Sequence, residues 1–237
     1  MPNDNETIAP CLASDESPSD CILCAVRSSS LFADLQDQEL DEGVRGIRNA
    51  FWRSNAVVYS QGHKAGAVFS IRSGVVKLTR AESGKPGRIV RLLGRGAAIG
   101  LEALDGSAYA NSAVTVRECN LCRIPSGAVS MLGDHNPRLC KGMISKWREH
   151  VLSAEALIFS LQDGNLVERA KALVKLLARV SGDPYDAIRV LRNEDMAGML
   201  GVSAESVSRC VSKLKRDGVI RRVGAWTYDC SQLVDGG

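Results

Sequence analysis

The chain has 237 residues, with 30 Lys or Arg against 27 Asp or Glu, a formal net charge of +3. That length allows two modest domains, and so small a charge excludes a protein that coats nucleic acid regardless of sequence. No apolar run is long enough to cross a bilayer and the N-terminus lacks the basic and apolar regions of a signal peptide, so a cytoplasmic protein without a membrane partner is expected.

Residues 1–20 carry Asp4, Glu6, Asp15, Glu16 and Asp20, three prolines and no Lys or Arg, which predicts a flexible tail. Cys21-Ile22-Leu23-Cys24 follows. A short helix is expected over Leu35–Phe51, with Leu40, Val44 and Ile47 as its apolar stripe. From Trp52 to Pro125, short runs rich in Val, Ile and Leu alternate with glycine turns, the pattern of an all-β sandwich or barrel. Ser73-Gly74 reads as a hairpin turn and Gly84–Gly87 as a loop. From Asn136 the period becomes helical. Ile144, Trp147, Val151, Ala154, Ile158 and Leu161 recur at three and four residues, an a/d seam of nearly three heptads. A core helix would need only one apolar face, yet Leu152 and Phe159 lie off this seam and are expected to pack on the protomer. The seam is therefore read as a dimer helix, with a long core helix as the competing reading. Asp163-Gly164 is the expected hinge. A further helix over Leu166–Val180 ends at Gly182-Asp183-Pro184.

Asn193–Gly218 reads as two short helices around a tight turn. Asn193 is the expected cap of the first, whose apolar face is Met196, Met199 and Leu200. Gly201 supplies the turn and Ser203 caps the second helix. Val207, Val211 and Leu214 form the buried stripe of that helix, leaving Glu205, Ser208, Arg209 and Ser212 on another face. Arg209 can donate two hydrogen bonds to guanine and Glu205 can accept from cytosine. Lys213, Lys215, Arg216, Arg221 and Arg222 suit phosphates. Val219–Val223, Gly224 and Trp226–Tyr228 look like a two-stranded wing. The competing reading is an amphipathic helix pair with a solvated basic face. Spacing, turn glycine and charge together favour a winged helix-turn-helix on double-stranded DNA.

A glycine-punctuated β domain, a seam helix and this C-terminal motif occur together in the Crp/Fnr family of bacterial transcription regulators. The chain resembles that family from Cys21 to about Leu233, most specifically in YSQGHKAGAVFSIRSGVVKLTR and LGVSAESVSRCVSKLKRDGVI. The resemblance implies an α+β fold. Residues 1–31 would be a tail and cysteine segment, and 32–135 a cyclic-nucleotide-binding-like β-roll. Residues 136–163 would be a dimerisation helix, and 164–237 a winged helix-turn-helix domain. Glu205-Ser206-Val207-Ser208-Arg209 is similar to the Glu-x-x-Ser-Arg of the Fnr branch, which reads TTGAT half-sites. Glu205 and Arg209 would then read the central GA steps and Ser208 the outer thymine, with Ser212, Lys213 and Arg216 on the same interface. RNA polymerase is the further partner, and transcription activation the activity, that the family implies.

Cyclic AMP is not expected as the effector. The family holds the cyclic phosphate with an Arg-Ser pair after a Gly-Glu pair. Here Gly100-Leu101-Glu102-Ala103-Leu104 is followed by Tyr109-Ala110-Asn111-Ser112, without an arginine. Fnr-type sensors instead carry an iron–sulfur cluster on thiolates. By resemblance Cys21, Cys24 and Cys122 match three of its ligands. Ser28-Ser29-Ser30 occupies the place of another N-terminal cysteine, so the fourth ligand is left among Cys11, Cys119 and an oxygen of Asp20 or Ser30. Cys119 is the weakest of these, because residues three apart on a strand point to opposite faces. Cys140 and Cys210 read as buried or half-buried helix residues and Cys230 as a structural strand residue. The reading is thus a homodimeric, redox- or oxygen-responsive regulator. The alternatives are a thiol/disulfide switch at Cys21 and Cys24, or a small ligand or haem in the β-roll beside His63. A zinc site lacks a second close cysteine pair. An enzyme would need clustered His and carboxylates or an activated nucleophile, and the sequence has neither.

Overall fold

The computed structural model describes residues 17–43, 46–82, 87–162, 164–184 and 187–233. Cys11, Val44 and Asp163, and most of the loop expected at 84–87, lie outside them.

Among the described residues, strand alternation starts earlier than the sequence suggests. Helix α1 spans only Asp37–Gly43, and strand β2 (Arg48–Trp52) takes the second half of the expected helix. In β2, Ala50 and Trp52 are buried while Phe51 between them is exposed, the period of two that a one-sided strand requires. Leu40 and Ile47 do enter the core, Leu40 from α1 and Ile47 from the residue before β2. The expected tail also contributes: β1 (Ser17–Pro18) pairs antiparallel with Asn49 and Arg48 of β2.

The remaining strands of the domain are β3 (Val57–Tyr59), β4 (Ala67–Ser73), β5 (Val76–Arg80), β6 (Arg88–Leu93), β7 (Ala98–Ile99), β8 (Ser112–Thr115) and β9 (Cys119–Pro125). They form two antiparallel sheets, ordered β1-β2-β9-β4-β7 and β3-β8-β5-β6. Ser73-Gly74 is not a hairpin, because β4 and β5 lie in different sheets. It is a corner where the chain crosses between them. Gly74 has φ +95°, and a Cβ there would stand 2.5 Å from Cys119 Sγ and 2.6 Å from the Glu118 carbonyl. Both the backbone angle and the close approach demand glycine.

Two helices follow directly, α2 (Ser126–His135) and α3 (Pro137–Gln162). Leu139 and Met143 seat α3 on the roll core, and Lys146 is buried on the same side. The opposite side is apolar and uncovered. Ile144, Trp147, Val151 and Ile158 are all exposed, Ile144 to 70%. Leu152 and Phe159, expected to pack on the protomer, are exposed too, Phe159 to 76%. They widen the outer stripe, because their spacing from Trp147 and Val151 keeps them on the outward half of the helix. Ala154 is half-buried, and Leu161 turns inward to pack on the C-terminal core.

Asn165 caps α4 (Leu166–Ser181) in a capping box with Glu168, and Gly182 ends it in the left-handed region. Beyond it come β10 (Ile188–Arg189), α5 (Asn193–Leu200), α6 (Ala204–Arg216), β11 (Arg221–Gly224) and β12 (Thr227–Asp229). The wing is three-stranded, ordered β10-β12-β11. The two-residue β10 is too short to announce itself in the sequence.

Candidate nucleic-acid interface and thiol cluster

Helix α6 is capped at its start, buried along one side and exposed along the other. Ser203 Oγ accepts from Ser206 N at 3.2 Å and fixes the start of the helix. Gly201 precedes it at φ +66°. Asn193 does not cap α5; it is the first helical residue, and Arg192 before it makes no side-chain cap. The α5 start relies instead on Glu194 and Asp195 in its first turn, which suit the positive helix end. Val207, Cys210 and Leu214 are buried and Val211 half-buried against α4 and α5, so the helix cannot roll.

This leaves Glu205, Ser208, Arg209, Ser212, Lys213 and Arg216 exposed on α6. These six residues therefore share one accessible surface, and Lys215, Arg221 and Arg222, also expected at phosphates, are exposed too. Glu205 Oε1 lies 3.7 Å from Arg209 Nη1, one turn along the helix. Lys213, Lys215 and Arg216 fall in the last turn, where the helix dipole also favours cations. Lys215 Nζ sits 5.0 Å from the Tyr228 ring centroid, which draws that cation toward the wing. In the wing, Arg221 Nη2 bonds Asp229 Oδ2 at 2.9 Å, and with Ser231 this holds the carboxyl down to about 2.

At the other end of the molecule, Cys21 and Cys122 are buried and Cys24 half-buried. Burial, then the neighbouring Cys122, Cys24 and Asp20, push the Cys21 thiol up to about 12. Burial also raises Cys122, while the Ser19 hydroxyl at 3.1 Å and the Arg72 charge oppose the rise. Three thiols thus feel one another in a single neighbourhood, with Arg72 as the nearby cation. Among the described residues, no three His, Cys, Asp or Glu side chains stand in a metal-holding array. The donor type suits an iron–sulfur group, and the Cys21–Cys24 loop would have to close further on Cys122.

The other expected ligands are engaged locally. Ser30 Oγ donates to the Arg27 carbonyl and accepts from Phe32 N. Asp20 Oδ1 accepts from Ile22 N and Leu23 N, shaping the loop between the two cysteines. Cys119 Sγ donates to the Val75 and Arg117 carbonyls. Cys140 is exposed, not buried, because it lies on the outer side of α3. Cys210 and Cys230 are buried. Ser19 was not legible as a neighbour of Cys122, since 103 residues separate them.

Three aromatic rings pack together inside the roll, among mostly aliphatic side chains. Tyr59 and Tyr109 stack at 3.9 Å between centroids, and Phe69 lies 5.8 Å from Tyr59. Tyr109 donates to the Ala67 carbonyl at 2.8 Å, and Glu102 accepts from Ala110 N at 3.1 Å. The Glu102 bond ties the Leu101–Leu104 turn to the segment before β8. Arg91 points elsewhere, to His150 Nδ1 and Ser153 Oγ on α3, each at 2.9 Å. Burial and the Arg91 charge push His150 down to about 4, so its neutral ring can accept that bond. His63 is exposed.

Residues 50–136 match a cyclic nucleotide-binding domain and residues 170–233 a Crp-like helix-turn-helix domain. Among curated proteins, the chain is 28% identical over 201 residues to the "Cyclic AMP receptor protein" of Thermus thermophilus, covering 83% of this chain and 90% of that one. It is 24% identical over 212 residues to the "Anaerobic regulatory protein" of Haemophilus influenzae, covering 87% and 82%. Among solved structures, FixK2 from Bradyrhizobium japonicum shares the fold with a TM-score of 0.70 at 17% identity, covering 80% of this chain and 96% of that one.

Proposed function

We propose that this chain, which belongs to the Crp/Fnr family of DNA-binding transcription regulators, acts as a homodimer that reads TTGAT-like palindromes and responds to oxygen or redox state. The family is one of regulators, not enzymes. The observation that carries the reading is the exposed Glu205, Ser208 and Arg209 face on a helix capped at its start and buried along its back. Arg209 is suited to the guanine and Glu205 to a cytosine amino group, while Lys213 and Arg216 hold phosphates. Ser208 and Ser212 fill the space between them. The uncovered stripe of Ile144, Trp147, Val151 and Ile158, flanked by Ala154, would face its copy in the dimer. Leu161 would serve the protomer's own C-terminal core instead.

Cys21, Cys24 and Cys122 are the proposed thiolates, with Cys11 or an oxygen donor such as Asp20 to complete the set. An iron–sulfur cluster supplies an oxygen-labile redox centre when bound. The chain's own part is to couple that site to α3. Cys21, Leu31, Phe32 and Leu35 share a core with Leu139. The Leu31 carbonyl lies 3.1 Å from where a Cβ at Gly142 would stand. Loosening of the 21–35 segment would therefore reach α3 at Leu139–Met143, ahead of the seam, and shift the population of DNA-competent dimers. RNA polymerase is the further partner that family membership suggests.

Titration of anaerobically prepared protein against a TTGAT palindrome and a scrambled duplex tests the DNA reading. Strong preference for the palindrome is expected. Equal, salt-sensitive binding to both duplexes would reject it.

A further inference from the structure

We propose that Lys77 and Arg117, two residues of the β-roll, are positioning residues for DNA recognition: they clamp the DNA-binding domain so that a dimer holds its two recognition helices at operator spacing. This rests on the dimer reading above. Lys77 Nζ on β5 lies 2.6 Å from Asp195 Oδ1 in the first turn of α5, the helix that leads through Gly201 into α6. The two side chains are only 14% and 19% exposed. Arg117 Nη1 stands 2.9 Å from both carboxylate oxygens of Asp183, and Nη2 donates to the Ser181 carbonyl at the end of α4 at 3.1 Å.

These contacts bracket an apolar seat. Val75, Ile89 and Leu92 of the roll share one core with Leu173, Leu177 and Met196 of the DNA-binding domain. At its edge the backbones touch: a Cβ on Gly94 would stand 1.7 Å from the Val180 carbonyl. Apolar burial is non-directional and by itself would let the domain slide on this seat. Two ion pairs at separate points fix its orientation, and their partial burial limits screening by salt. The reading face stays exposed in this docked arrangement. The clamp therefore serves binding, and does not mask the helix. Its benefit falls on two-site binding, since the gain from a second half-site vanishes when geometry forbids both contacts at once.

The test uses the full-length protein, with affinities measured for a palindrome and for a single half-site. Lys77→Gln and Arg117→Gln should each weaken palindrome binding by about tenfold or more, with half-site binding unchanged. The charge-swapped double variant Lys77→Asp, Asp195→Lys should recover the palindrome affinity. An unchanged palindrome affinity overturns the proposal. So does an equal loss on the half-site, which would mean local damage to the helix-turn-helix, and so does a swap that fails to rescue. Sedimentation of the same samples separates the two readings. A monomeric wild type rejects the dimer and the clamp together, whereas a dimer indifferent to Lys77 rejects the clamp alone.

Discussion

Glu205 and Arg209 face each other across one turn of α6 with 3.7 Å between carboxylate and guanidinium, both side chains more than two-thirds exposed. At that exposure the pair adds little stability. It sets the two proposed base-reading groups side by side on the exposed face. Arg209→Ala should weaken operator binding by about 1–3 kcal/mol and relax selection at the paired guanine. Competition titrations against operators varied at that position check it; equal affinities for wild type and variant would refute the assignment.

Lys213 and Arg216 sit in the last turn of the same helix with exposed side chains. Either alanine variant should weaken binding to every duplex alike. The slope of log affinity against log salt should become shallower by roughly one for each charge removed. A loss confined to one sequence would mean that the residue reads bases.

Ile158 is 55% exposed near the C-terminal end of the outer stripe of α3. Ile158→Glu should give a monomer, because a dimer would have to bury two facing carboxylates. Sedimentation at micromolar concentration decides, and a persisting dimer would place the interface elsewhere.

Gly94 lies where β6 meets the end of α4. Gly94→Ala should destabilise the protein by about 1–3 kcal/mol, because the blocking atom is a backbone carbonyl and not a flexible side-chain tip. Thermal unfolding measures this, and an unchanged midpoint would show that the two domains part readily at this point.

Serine variants of Cys21, Cys24 and Cys122 should each lose bound iron in protein prepared without oxygen. Cys11→Ser distinguishes the fourth ligand. Loss of iron would assign Cys11, and retained iron would turn attention to an oxygen donor such as Asp20.

The helix-turn-helix was legible because its signals are local: a capping serine, a turn glycine and a period of three and four. The β-roll was legible as strands but not as sheets. Nothing near Ser73-Gly74 tells a hairpin from a corner, since the distinction depends on Cys119 and Glu118 packed against it. The stretch that forms the start of β2 read as helix because Leu40 and Ile47 happen to stand seven apart, two turns of helix. The inward turn of Leu161 and the outward Phe159 depend on where α4 docks. The nearness of Ser19 to Cys122, and the Lys77–Asp195 and Arg117–Asp183 pairs, join residues 66 to 118 positions apart and leave no trace in local pattern.

The account stands most directly on one sample measured twice. Protein purified without oxygen is assayed for iron, acid-labile sulfide and affinity for a TTGAT palindrome, and then again after exposure to air. The account predicts iron and sulfide at the start, their loss in air, and a parallel fall in operator affinity. Protein that never contains iron or sulfide, or whose operator affinity is the same before and after air, would contradict it.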